Sequence, residues 1–536
     1  MKNYLLIAFL LLVTISNAFA QNQDVTRQSK DSIKDFREFK VLDSKYIDNA
    51  ALWAPFNADL NGFSEATYTS LKPLIIEQNI PTLQKNIAQG KLTYEKLVLF
   101  YLYRIRKFDR ENWLSLNAVI ALNPNVVAEA RQKDKQPKPL LEFSVFGMPI
   151  LLKDNINAAG MPTTAGAAAL QENIAEDAFI VKQLKNNGAL ILGKANLSEW
   201  AYFFCGDCPS GYSAVGGQTL NPYGRRIFDT GGSSSGSGVA VAANFCVAAV
   251  GSETSGSILS PSSQNSVVGL KPTIGLLSRT GIIPISSTLD TPGPMTKNVI
   301  DNAIILEAMT GFDKDDSASV KLEHELFSNL NTSLKGKRFG AFKGLMEDSL
   351  YVEALSKLKN EGAEIIEIEP QEIDLPGFIR LLNLDMKKDL PEYLQKHANA
   401  AVTLKSVEDV IAFNSLDSLR RAPYGQALFK GIVADKGSSE DLERIKGTLS
   451  TNGKLFFEGP MNKHNLDGIL SINNFHAGYA AVAKYPAMTV PMGYQTDGKP
   501  RGLTFIAKPF QEISLLQWAH EYEKASKKRI APKNYN

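Results

Sequence analysis

The sequence predicts one large α/β domain, and three observations carry that prediction. "FGMPILLKDNI" is a short apolar strand, "DAFIVKQLKNNG" a helix closed by Gly188, and "ALILGKANLSEW" another short strand; strand, helix and strand at this spacing imply an α/β sheet. "AMTVPMGYQTDGKPRGLTFIAKP" reads as two strands joined by a turn at Asp497-Gly498, followed by the closing helix "SLLQWAHEYEKAS". No internal repeat or low-complexity tract divides the 536 residues, so a single domain is the economical organisation. A composition of 44% hydrophobic and 21% charged residues is enough to bury a large core.

The elements follow in chain order. "MKNYLLIAFLLLVTISNAFA" carries Lys2, an apolar run from Tyr4 to Ile15 and the small-x-small site Ala18-Phe19-Ala20, the pattern of a cleavable signal peptide over residues 1–20. The run is shorter than the roughly 18 apolar residues that a membrane anchor requires, and no cysteine follows it to take a lipid. The expectation is an exported protein, periplasmic or secreted, without a stable membrane anchor. Residues 21–75 are polar and weakly periodic, and read as an N-terminal extension lying over a main domain at 76–536. From residue 80 the pattern turns helical: Leu83 and Ile87, then Leu97, Tyr101, Leu102 and Ile105, recur at spacings of three and four. Gly90 ends the first of these helices and Thr93 caps the second. The stretch 345–460 is charged and mostly helical, with few local chemical signals.

Composition removes several classes of function. A net charge of +2, from 58 basic and 56 acidic residues, offers no surface for nucleic acid. Of the three cysteines, Cys205 and Cys208 form one C-x-x-C pair with no second pair to complete a zinc site, so they read as a loop staple or two free thiols. Cys246 falls in an apolar run read as a core helix. The five histidines, His324, His397, His464, His476 and His520, all lie in the C-terminal half without metal-ligand spacing. The expectation is a protein that uses no metal and no cofactor.

The chemistry is concentrated in residues 231–261, "GGSSSGSGVAVAANFCVAAVGSETSGSILSP". A phosphate-binding loop would need a Gly-Lys-Ser/Thr ending, which is absent. A nucleophile elbow on Ser234 would need a buried strand before it, and "NPYGRRIFDT" is not one. A third reading uses both serine-rich turns and a lysine base in place of histidine, since a desolvated lysine can activate a serine. Lys153, at the end of the apolar strand "MPILL", is the candidate because burial disfavours its charge. A solvated charge at a strand end is the plain alternative.

At this point the chain resembles the amidase signature hydrolases. "GMPILLKDNINAAGMPTTAG", "GALILGKANLSEW", "GGSSSGSG" and "GSETSGSILSPSSQNSVVGLKPT" occur in that family's order, and Ser233 and Ser257 stand 24 positions apart as its pattern expects. "GGQTLNPY", "GLLSRTGIIPIS" and "DTPGPM" are most similar to bacterial peptide amidases. The resemblance covers roughly 80–310 and 465–525. It implies a large mixed β-sheet flanked by helices on both faces, and a Ser/cis-Ser/Lys triad with Ser257 as nucleophile, Lys153 as base and Ser233 as the proton bridge. It further implies an oxyanion hole from the backbone N–H groups of Thr254, Ser255, Gly256 and Ser257. Gly231 and Gly232 would let the backbone reach the cis turn, Ser234 would support that turn, and Glu253 would orient the loop. Ser255 stands where close relatives often have Asp or Gly. Leu259 replaces an arginine common in amidases, which argues against the amidating subunit of the tRNA-dependent transamidase. The implied activity is hydrolysis of a carboxamide, with a peptide C-terminal amide the nearest substrate, through an acyl-enzyme. Fatty-acid or aryl amides, or a non-catalytic binding protein on the same scaffold, are the alternatives. The sequence leaves the oligomeric state unread.

Overall fold

Why the two serine turns meet becomes clear from the order of strands in the sheet. The computed structural model describes residues 38–110, 112–136, 142–321 and 327–535; the signal-peptide reading falls outside them. The strands are β1 (Val119–Leu122), β2 (Pro149–Lys153), β3 (Leu190–Ala195), the two-residue pair β4 (Tyr212–Ser213) and β5 (Gly217–Gln218), β6 (Ala248–Glu253), β7 (Val268–Lys271), β8 (Thr291–Thr296), β9 (Arg338–Phe342), β10 (Glu364–Ile368), β11 (Gly468–Ile472), β12 (Ala487–Tyr494) and β13 (Pro500–Ile506). Apart from β4 and β5 they form one mixed 11-stranded sheet in the order β1-β3-β2-β6-β8-β7-β12-β13-β11-β9-β10, with helices packed around it. The large mixed sheet expected from the resemblance is therefore present. β2 lies parallel between β3 and β6, while β8 runs antiparallel to β6. Every residue of β2, β3, β6, β7 and β11 is buried, as continuous apolar strands covered on both faces must be.

The expected elements of the first half appear with their caps. The helix Ile80–Ala88 ends before Gly90, and Thr93 Oγ1 accepts from the Lys96 N–H at the start of Tyr94–Ile105. β12 and β13 pair antiparallel across the Asp497-Gly498 turn, and Glu512–Ser526 closes the chain.

Three segments differ from the sequence reading. The Ala/Val run after the first serine turn is not one helix: Ser235–Ala242 is helical, Asn244 turns left-handed at φ 56°, and Ala248 onward is β6. A run apolar on all sides fits a buried helix and a buried strand equally, so periodicity could not divide it. Cys246 is accordingly a fully buried turn residue rather than a helical one. Residues 41–75, read as weakly periodic, contain the helix Glu65–Ile75, which buries Tyr68, Leu71 and Ile75. The stretch read as mostly helical, 345–460, also contributes the edge strand β10, whose half-exposed side chains blur any alternation.

That stretch also includes the helices Phe378–Lys396, Val407–Ser415, Ala427–Ala434 and Ser439–His464. Their apolar faces join Trp200, Phe204, Ile283, Ile285 and Leu289 in one buried cluster. This cluster supports the 283–290 loop that reappears beneath the site.

Candidate active site

Lys153 is the last residue of β2, and the parallel pairing of β2 with β6 sets it against the end of β6, where Leu152 is opposite Val250. The side chain is fully buried. Its Nζ lies 2.7 Å from Ser233 Oγ, 2.9 Å from Ser252 Oγ and 3.0 Å from the Ser252 carbonyl oxygen. Burial pushes the Lys153 pKa down to about 7, against the smaller upward pull of the Asp290 and Glu253 carboxylates. A lysine that is substantially neutral near pH 7 can accept a proton, which a solvated one cannot.

The chain brings both serine turns to this end of the sheet by a simple path. From the turn at Ser233 the Ser235–Ala242 helix descends, the chain reverses through Asn244, and β6 climbs back beside β2 to the second turn. The Gly232–Ser233 peptide bond is cis. Gly231 sits at φ +65°, and a Cβ there would come within 2.7 Å of the Pro261 nitrogen, so only glycine lets the two turns approach this closely. The Ser234 N–H donates to the Ser257 carbonyl (3.1 Å) and the Ser198 N–H to the Ser233 carbonyl (3.0 Å). Ser234 Oγ is bonded to the Ser252 carbonyl at 3.1 Å. Lys153 and Ser233 are 0% exposed and Ser257 is 8% exposed. Of these three side chains, Ser257 is the one that keeps solvent contact.

Between β6 and the short helix Leu259–Gln264, the chain makes a turn over Thr254, Ser255, Gly256 and Ser257. Among the described residues, the N–H groups of Ser255, Gly256 and Ser257 have no protein acceptor. Converging free N–H groups are the means by which a developing oxyanion is held. Glu253 fixes the far side of the turn, its Oε2 accepting from the N–H groups of Ile258 (2.7 Å) and Leu259 (3.0 Å). Gly256 has φ +86°, and a Cβ there would meet Asn474 Nδ2 at 2.6 Å. Gly256→Ala should therefore displace the turn and lower turnover about a hundredfold with the far-ultraviolet circular dichroism unchanged. Turnover at the level of the unaltered protein would show that the turn does not govern the reaction.

Three residues of the site carried no readable role in the sequence, though each lies in a quoted motif. Ser252 and Asn155 contact each other and, through Ser252, Lys153. Asp290, half-buried, accepts from Thr254 Oγ1 at 2.5 Å and from the N–H groups of Ile285 (2.8 Å) and Ser286 (2.9 Å), which fastens the start of the turn to the 283–290 loop. Burial raises its pKa. Their roles depend on partners about 35 to 130 positions away, which spacing does not reveal.

Elsewhere, Cys205 and Cys208 are joined in a disulfide, the loop staple of the two alternatives, and Cys246 is free and buried. His476 is bonded to Ser471 Oγ at 2.6 Å, stacks on Phe342, and is held neutral by burial with its pKa lowered to about 4. Among the described residues no group of three or more His, Cys, Asp or Glu is placed to hold a metal ion, and no helix is long and apolar enough to cross a membrane.

Comparison with known proteins bears on the whole arrangement. Residues 96–423 match the family described as amidase. A probable amidase of Arabidopsis thaliana is 37% identical over 485 residues, which span 86% of this chain and 92% of the plant protein. The crystal structure of an amidase family protein from Bacillus anthracis superposes with a TM-score of 0.86 at 37% identity, covering 92% of this chain and 100% of the other. The native peptide amidase of Stenotrophomonas maltophilia gives 0.80 at 37% identity, covering 85% and 98%.

Proposed function

The chain belongs to the amidase family and hydrolyses amides, and from that premise we propose that it does so through an acyl-enzyme on Ser257, with Lys153 as base and Ser233 as proton bridge. In this reading Lys153 takes the Ser233 proton as Ser233 takes that of Ser257, and Ser257 Oγ forms a bond to the amide carbon. The carbonyl oxygen becomes an oxyanion received by the free N–H groups of the 254–257 turn. The C–N bond breaks as the proton returns from Lys153 through Ser233 to the departing nitrogen, releasing ammonia or an amine. Water then attacks the ester by the same relay, and Ser257 regains its proton with the acid. The observation that carries the proposal is the buried, charge-depressed Lys153 at 2.7 Å from Ser233 Oγ.

For the substrate, a peptide C-terminal amide is the first choice, supported by the likeness to the Stenotrophomonas maltophilia peptide amidase. A panel of peptide amides, fatty-acid amides and aryl amides tests this directly. Preferred release of ammonia from peptide amides supports it, preference for either other group replaces it, and no turnover on any of the three would refute a peptide C-terminal amide as the substrate.

The same proposal places the enzyme outside the cytosol, on Lys2, the apolar run and Ala18-Phe19-Ala20. N-terminal sequencing of native material should find a mature start near Gln21. An intact Met1 or Lys2 terminus recovered from the cytosol would refute export.

A further inference from the structure

Lys153 meets three oxygens, but as a neutral amine it has two N–H bonds and one lone pair. The Ser252 carbonyl oxygen at 3.0 Å can only accept, so it takes one N–H. The other N–H and the lone pair are then divided between two hydroxyls, Ser233 at 2.7 Å and Ser252 at 2.9 Å. The lysine can deprotonate Ser233 only if the lone pair faces Ser233, which requires Ser252 Oγ to accept the second N–H. If instead Ser252 donated its own proton to the lone pair, the base would be blocked.

We propose that Ser252, oriented by Asn155, is a positioning residue that keeps the free lone pair of Lys153 turned toward Ser233. The inference rests on Lys153 being the base. Asn155 Nδ2 donates to Ser252 Oγ at 2.9 Å and to the Ile283 carbonyl at 3.3 Å. The carbonyl accepts only, so it fixes which end of the amide faces Ser252. Ser252 Oγ thus has two donors directed at it, and its own proton must leave by a third direction. A chamber of about 10 Å3, room for a single water, is lined by Ser252, Asn155, Thr254 and Asp290. Asn155 Oδ1 is buried and without a hydrogen-bond partner. A water there accepts the Ser252 proton and donates to Asn155 Oδ1, which satisfies both groups and holds the Ser252 proton away from Lys153.

The experiment is the pH profile of kcat and kcat/KM on one amide for the unaltered enzyme, Ser252→Ala, Ser252→Thr, Asn155→Asp and Lys153→Ala. Ser252→Ala should lower kcat about tenfold or more with little change in KM. It should also move the acid limb to lower pH, because an acceptor of the ammonium form is lost. Ser252→Thr keeps the hydroxyl and should restore most of the rate. Asn155→Asp places a carboxylate beside Ser252 and should move the acid limb the opposite way, to higher pH. An unchanged rate and profile in Ser252→Ala would overturn the inference. So would a loss that Ser252→Thr does not restore and that leaves the acid limb in place, since that is the mark of a purely structural role. Lys153→Ala separates the two levels: if it retains turnover, the base assignment itself fails, whereas an inactive Lys153→Ala beside an unaffected Ser252→Ala sinks only the role of Ser252.

Discussion

Ser257→Ala should lose amide turnover by at least about a thousandfold, since removing the nucleophile of a coupled serine relay leaves only binding and oxyanion stabilisation. The fold should be undisturbed: the Ser257 contact that binds the two turns is its carbonyl, which accepts from the Ser234 N–H, and alanine retains it. A fluorophosphonate probe should label Ser257 in the unaltered protein and nothing in the variant, as read by peptide mass spectrometry. A label on Ser234 would reinstate the nucleophile-elbow alternative. The geometry speaks against that outcome, because Ser234 is fully buried and its Oγ is engaged by both the carbonyl and the N–H of Ser252.

The two serine turns also show how far the sequence could be read. β2, β3 and the β12–β13 hairpin were legible because each is a short apolar run bounded by Gly, Pro or polar residues, which fixes type and ends together. The Ala/Val run was not, because a segment buried on every side has no polar face to set its period. Lys153 was visible as a candidate from its apolar strand, while the pairing of Ser233 with Ser257 came through the family resemblance. Neither route reached Ser252, Asn155 or Asp290. Their meaning depends on β2 lying beside β6 and on the 283–290 loop packing beneath the second turn, both products of long-range closure. The helices from 378 to 464 were legible as helices only. That they wall the loop carrying Asp290 follows from the cluster built around Trp200, Ile283 and Ile285.

Lys153 carries the second large effect, on both activity and stability. With its pKa lowered to about 7 by burial, the base is neutral above that value and protonated below it. Amide turnover should therefore fall as pH drops through about 7. The unfolded chain holds a lysine proton up to about pH 10.4, so between these values the unfolded state binds more protons than the folded one. Stability must then rise with pH across this window, by an amount on the order of 5 kcal/mol if the group acts alone. Below pH 7 that penalty is present in full. Lys153→Met should be inactive yet lose this rise in stability between pH 7 and 10, as measured by denaturant unfolding at several pH values; an unchanged slope would mean that Lys153 is not the depressed group. The leaving group gives a further discrimination. A departing amine must receive a proton, returned from Lys153 through Ser233, whereas an ester's alkoxide leaves with less help. Lys153→Ala should therefore damage amide hydrolysis more than hydrolysis of an ester with the same acyl group, narrowing the preference between them. Equal losses on both substrates would confine Lys153 to activating Ser257, and near-normal amide turnover would remove it from the mechanism.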